Sequence, residues 1–280
     1  MSAPPDRSSP RRWVRFGPSD RVQHAVMLLA FVVLAVTGLP QKYIYANRTF
    51  LDDVIDFLGG LKTVRIIHRA AATTLMVAAV YHGLTVAYRV LVRRARLSML
   101  PRYFDALDAW QSVRYNLGLA RERPRMDRFT WEEKVEYWSL VWGTVIMIVT
   151  GFMLWNPIAT ARVLPGEWIP TAMVVHGGEA LLAVLAVLVW HFYSVHLRSF
   201  NPSMFTGRMS EREMEEEHPL ELERLRAGDV GEETDPAVLR RRRRLFVPVA
   251  AVVAAALLAG IYWFVTFEQT AIKTLPPPLP

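Results

Sequence analysis

Residues 174–196 read VVHGGEALLAVLAVLVWHFYSVH. Apart from three histidines and one glutamate the run is almost wholly apolar. With its flanks it is long enough to cross a hydrocarbon core of about 30 Å, which takes roughly 20 apolar residues in a helix. Working outward from this run, which lies in a stretch near 170–196, four more stretches meet the same criterion, near 22–40, 64–92, 135–155 and 245–267. The expectation is an all-α integral membrane helical bundle, a four-helix core with a fifth C-terminal transmembrane helix. The first span has basic flanks but ends in TGLPQKY, without a small-residue cleavage site, and so reads as a retained helix rather than a signal peptide.

Composition narrows the class. Of the 280 residues 52% are hydrophobic, with 33 Lys plus Arg against 26 Asp plus Glu, 7 His and no Cys. Without cysteine there is no disulfide framework, no thiolate zinc site, no iron–sulfur cluster and no covalently attached c-type haem. Any metal falls to His, Met or carboxylate. The net charge of +7 would suit nucleic acid, but apolar residues concentrated in long runs point to membrane lipid instead, and no nucleic-acid partner is expected.

Basic residues set the orientation. Residues 1–21 carry 5, 89–134 carry 11 and 198–244 carry 10, whereas 41–62 hold 3, 156–169 hold 1 and the C-terminal tail holds 1. The chain is therefore expected to be multi-pass in a bacterial cytoplasmic (inner) membrane, N-terminus cytoplasmic and C-terminus extracytoplasmic. The parts are a cytoplasmic N-terminal segment (1–21), the four-helix bundle (22–200), a charged cytoplasmic linker (201–244), the fifth span (245–267) and an extracytoplasmic tail (268–280). The run Arg240–Arg244 reads as a topology signal that also suits anionic lipid. No internal repeat stands out.

Six of the seven histidines lie in or at the ends of spans: His24 in the first, His68 and His82 in the second, His176, His191 and His196 in the fourth. Ionisable groups inside spans are rare and face the bundle interior, and a neutral imidazole is a good ligand for haem iron. His68 and His82 are 14 residues apart, His176 and His191 15. At about 100° per residue each pair returns to within roughly 40° and 60° of one face, some 21–22 Å apart along the axis. Two helices presenting two imidazoles each suit two stacked haems b. Matching by depth gives three sites, His24 with His196, His82 with His191 and His68 with His176. The simpler alternative joins His24 to His191 and leaves His82 and His196 as supporting residues. His218, in EEEHPLE, reads as a solvated surface or helix-boundary residue.

The segments RFGPSDRVQH, RIIHR, FTWEEKVEYWSLVWGTVIMIVTGFMLWNP, VVHGGEALLAVLAVLVWHFYSVH and TGRMSEREMEEEHP together resemble the cytochrome b (gamma) subunit of membrane-bound formate dehydrogenase and its cytochrome b relatives in hydrogenases and thiosulfate reductases. The resemblance covers roughly residues 11–226. It implies His68 with His176 at an outer haem and His24 with His191 at an inner one. The sequence departs from the pattern by adding His82 and His196, by spacing the fourth-span ligands one residue wider, and by its fifth span. The 14 and 15 spacings are also similar to those of quinol-oxidising cytochrome b/b6.

The resemblance implies electron relay to or from a quinone, menaquinone or ubiquinone, beside the inner haem. Residues from His196 through Asn201 to Gly207 are the first candidates for that site, with Glu133 and Glu136 as proton carriers or solvated helix-start residues. Arg65 and Arg69 flank His68, and Arg15, Arg21, Arg89 and Arg198 lie at the inner boundary; each suits a haem propionate or simple snorkelling. Glu179, three residues after His176 on the same helix side, suits ligand orientation or proton carriage. Span-end tryptophans such as Trp131, Trp138 and Trp155 read as interface anchors. A cysteine-free chain cannot build a molybdenum, nickel or iron–sulfur centre, so it is expected to be an electron-transfer subunit. Its partners would be an extracytoplasmic iron–sulfur or multihaem cytochrome c subunit and a catalytic subunit. A stand-alone cytochrome b561-like reductase and a histidine-relay transporter are the competing readings. Broken helices in corresponding halves, the mark of many transporters, are lacking.

Overall fold

The structure, a computed structural model, describes residues 11–43, 50–229 and 235–267. Expectations for 1–10, for 44–49 in the loop after the first span and for the tail 268–280 fall outside them. Five helices are long and apolar enough to cross a membrane: Pro18–Tyr43, Gly60–Leu91, Trp131–Trp155, Trp168–Arg198 and Pro236–Thr266. In chain order the elements are β1 (Arg12–Val14), α1 (Pro18–Tyr43), α2 (Phe50–Phe57), α3 (Gly60–Leu91), α4 (Tyr103–Asn116), α5 (Trp131–Trp155), α6 (Pro157–Val163), α7 (Trp168–Ala186), α8 (Ser203–Thr206), β2 (Arg208–Ser210), α9 (Glu211–Glu217), α10 (Pro219–Arg226) and α11 (Pro236–Thr266). After α7 the fourth span continues as two π-helical segments, Val187–His191 and Tyr193–Arg198.

Helix starts follow local chemistry. Pro18 opens α1, where a missing N–H costs nothing, and the Asp20 carboxylate accepts from the Gly17 amide at 3.1 Å. At α5 a capping box closes: the Thr130 amide donates to Glu133 Oε2 at 2.8 Å and the Glu133 amide to Thr130 Oγ1 at 3.2 Å. α5 ends at Trp155 because Asn156, the residue before Pro157, is kept from helical backbone, and α6 begins at Pro157.

The chain divides into two compact units, residues 1–24, 87–139 and 195–246, and residues 25–86, 140–194 and 247–280. In the first, β1 and β2 form an antiparallel ribbon pairing Trp13 with Met209. Its small core is Met209, Met214 and Leu222, with Trp13 and Leu225 packed on it. The stretch 201–244 is therefore folded over much of its length. His218 is 1% exposed, which corrects the solvated-surface reading: it joins α9 to α10, and its Nδ1–H donates to the Asp127 carbonyl at 2.9 Å. The start of the fifth span is fastened here, Phe246 meeting Tyr88 edge to face with ring centroids 5.6 Å apart.

In the second unit the far end of α11 packs on α5. Phe264 lies 5.1 Å from Phe152 and 5.6 Å from Trp155 between ring centroids, and Trp263 stacks on Phe152 at 6.1 Å. Pairs of this kind add about 0.5–1.5 kcal/mol each beyond area burial. α11 thus has aromatic partners within this chain, independent of any anchor from another subunit.

Candidate functional site

α3 carries His68 and α7 carries His176, and the second unit brings the two rings together with centroids 6.4 Å apart and planes at 64°. An imidazole nitrogen lies about 1.1 Å from its ring centroid and binds a first-row metal at about 2.0–2.1 Å, so two rings on opposite sides of one ion have centroids about 6.3 Å apart. The observed spacing fits.

Each ring is held by a threonine on a neighbouring helix. His68 Nδ1 lies 2.9 Å from Thr37 Oγ1 of α1, and His176 Nδ1 lies 2.9 Å from Thr150 Oγ1 of α5. Each hydroxyl gives its one proton to its own helix, Thr37 to the Val33 carbonyl at 2.6 Å and Thr150 to the Ile146 carbonyl at 2.7 Å. Both hydroxyls must therefore accept from the imidazoles. That fixes each histidine as the Nδ1–H tautomer and leaves its Nε2 lone pair for a ligand.

A glycine follows each threonine, and at Gly38 its missing side chain makes room. A Cβ built on Gly38 would lie 3.0 Å from His68 Cε1, and one on Gly151 3.4 Å from His176 Cε1. The two cradles have the same local sequence, Val36-Thr37-Gly38 and Val149-Thr150-Gly151. This short repeat, absent from the expectations above, is the signal that would have found these four supporting residues.

The remaining expected ligands are placed individually. His24 lies on α1 in the first unit, His82 on α3 and His191 on the π segment in the second, and His196 on the next π segment in the first. All four are half-buried and engaged with neighbouring groups. His196 approaches Phe200 with ring centroids 6.2 Å apart. Among the described residues no group of three or more His, Asp or Glu is arranged to hold a metal ion. A porphyrin-bound iron asks only two ligands of the protein.

The π segment accounts for the wide fourth-span spacing. A π turn takes about 4.4 residues, or roughly 80° per residue. Following α geometry from His176 to Val187 and π geometry on to His191 brings the two histidines to within roughly 20° of one face, against about 60° for an unbroken α-helix.

Around the pair, Arg69 lies over the Trp155 ring at 4.2 Å and Arg65 is exposed. Lys42 donates to the Gly177 carbonyl at 2.8 Å. Glu179, one turn after His176, lies against α5 where a Cβ on Gly143 would come within 2.5 Å of its Oε1.

In the first unit, Asn201 accepts from the Ser203 amide at 3.0 Å and donates to Glu217 Oε2 at 3.5 Å, while Ser199 Oγ donates to Glu217 Oε1 at 2.9 Å. Burial raises the Glu217 pKa, countered by the Ser199 hydrogen bond. Glu133 accepts from Arg15 Nη2 at 3.3 Å as well as capping α5. Arg15 is 3% exposed, and its Nη1 has no hydrogen-bond partner among the described residues. Gly207, at φ +77°, turns the chain where a Cβ would lie 2.9 Å from the Phe16 carbonyl, so the left-handed turn and the close approach both require glycine.

Residues 7–207 match the family described as prokaryotic cytochrome b561. The chain is 18% identical over 217 residues to the cytochrome b556(Fdn) subunit of the nitrate-inducible formate dehydrogenase of Escherichia coli K12, covering 76% of this chain and 93% of that one. It is 18% identical over 207 residues to the cytochrome b556(fdo) subunit of formate dehydrogenase from the same organism, covering 74% and 90%.

Proposed function

The chain belongs to the prokaryotic cytochrome b561 family, multi-pass membrane cytochromes b that bind haem b and transfer electrons, and on that premise we propose that it is the membrane-anchoring subunit of a larger oxidoreductase. In this reading it relays electrons between an extracytoplasmic partner, an iron–sulfur or multihaem cytochrome c protein with its catalytic subunit, and menaquinone or ubiquinone on the cytoplasmic side. The names of its relatives, subunits of formate dehydrogenases, support the assignment to a complex.

The observation that carries the proposal is the His68–His176 pair, spaced at 6.4 Å and held with both Nε2 lone pairs free. These two side chains would hold one haem, and haem b when bound supplies a one-electron carrier. Thr37 and Thr150 fix ring orientation and tautomer. His24 and His191 are the proposed ligands of a second haem, and the π segment orients His191 for it; a third haem would draw on His82 and His196. The residues from His196 to Gly207, with Asn201 held by Glu217, form the proposed quinone side.

The test is haem b content per polypeptide, measured by alkaline pyridine spectrum against quantitative amino-acid analysis. Two per chain is the expected value, falling to one in His68→Ala and in His176→Ala. A value near three would assign ligand roles to His82 and His196. A colourless protein would overturn the electron-transfer reading.

A further inference from the structure

α4 turns polar side chains toward the protein and a strip of apolar ones away from it. Its polar side faces the protein: Asp105 pairs with Lys134 Nζ at 2.5 Å, and Ser112 Oγ accepts from Trp131 Nε1 at 3.0 Å, both partners lying in the first turn of α5. Its apolar side faces outward. Tyr103, Leu107 and Trp110 recur at the three-to-four-residue spacing of one helix face and are 68, 52 and 63% exposed, and Leu117, the residue after the helix, is 68% exposed. No residue of α4 is buried.

We infer that α4 is a membrane-interface helix, seated with this face in an anionic lipid surface. The occupant follows from three observations. First, α4 lies between two spans, 11 residues after the end of α3 and 14 before the start of α5. The shorter tether reaches at most about 40 Å fully extended, so the helix cannot move far from a bilayer. Second, the face joins aliphatic residues to Trp and Tyr, the side chains that collect at the headgroup level, and Arg114 lies on the same side with a stem able to snorkel. Third, the surroundings are basic: Arg93, Arg94 and Arg102 precede the helix, Arg121 and Arg123 follow it, and in the same unit Arg240, Arg241 and Arg244 line a groove at the start of α11; Arg96 and Arg125 are instead paired with Asp229 and Glu223. A helix of this kind buries its apolar face about 5–10 Å into the boundary between headgroups and acyl chains, and anionic lipid strengthens its seating. The inference rests on the membrane fold alone and is independent of haem number or quinone.

The chain has no cysteine, so single spin labels can be placed in the full-length protein without removing a native thiol. Leu107→Cys puts a label on the apolar face and Asn116→Cys one on the opposite side; both positions are exposed. In nanodiscs of phosphatidylglycerol, the ratio of oxygen to nickel-chelate accessibility is expected to be higher at position 107 than at 116 by roughly fivefold or more. Equal ratios with free nickel access at both positions would show a face open to water and overturn the proposal. A label at 107 that is immobilised and shielded from both reagents would overturn it in favour of a protein occupant, and dipolar broadening of that label would identify a second copy of this chain.

Discussion

A threonine hydroxyl has one proton to give, and at Thr150 it goes to the Ile146 carbonyl, leaving the oxygen to accept from His176. Thr150→Val keeps the shape and removes that acceptor. Support of this kind is worth about 10–100-fold in ligand affinity, so haem transfer from the protein to excess apomyoglobin should be faster by that order, while Thr150→Ser stays near the parent. Equal loss in both variants would mean that the methyl packing matters and the hydrogen bond does not. The histidines themselves were legible in the sequence because an imidazole is conspicuous in an apolar run. Their threonines were not: a threonine in a spanning helix ordinarily bonds back to its own helix, and only the duplicated Val-Thr-Gly marks these two. Exposure misled the reading of His218, whose neighbours in sequence are charged although its neighbours in space are not all so. Burial first, and then nearby Arg15, lowers its pKa below the ordinary 6.5. The unfolded chain takes up a proton below pH 6.5 that the folded one refuses, so His218's contribution is intact above 6.5 and is lost as pH falls from there. His218→Asn keeps a donor for the Asp127 carbonyl and should flatten the fall in melting temperature as pH drops below 6.5. An acid arm unchanged in that variant would place the dependence on other groups.

Elements were legible where a single period ran long. All five spans match apolar stretches marked in the sequence, and each starts earlier than its stretch because helix-start signals are polar: the Thr130–Glu133 box starts α5, and the arginines ahead of Leu245 are good helix formers that carry α11 back to Pro236. The short pieces β2, α9 and α10 were illegible as a fold, since a three-residue strand and two helices of two turns give no periodicity to count. The π segment was visible only as a histidine spacing one residue too wide. If it exists to absorb that residue, deleting Val189 leaves a plain 14-residue α spacing, within about 40° of one face, and haem content should be unchanged. Inserting an alanine after Ala186 instead gives 16 residues and turns His191 about 160° away in α geometry, so the haem proposed for His191 should be lost. Haem loss on deletion with retention on insertion would remove the π segment from ligand placement.

For the molecule as a whole the governing quantity is the distribution of charge. The three segments expected inside carry 26 of the 33 lysines and arginines, and some of those side chains are paired within the fold: Arg15 is buried against Glu133, Lys134 against Asp105, and Arg224 pairs with Asp127 and Glu221. Residues expected to set topology thus also serve to fold one unit, whereas the loop from 156 to 169 has a single basic residue, Arg162. Translocating the basic segments would cost both the insertion bias and these pairs, so one orientation should dominate completely. Two single-cysteine variants read it directly. Gly166→Cys sits in the basic-poor loop, where an added Cβ meets nothing within 4 Å, and Arg121→Cys sits in the basic segment between α4 and α5. A membrane-impermeant maleimide applied to intact spheroplasts should modify the first and reach the second only after lysis. The reverse pattern would invert the chain in the membrane and move the proposed quinone side outward; labelling of both in intact cells would mean that the arginine distribution does not fix a single topology.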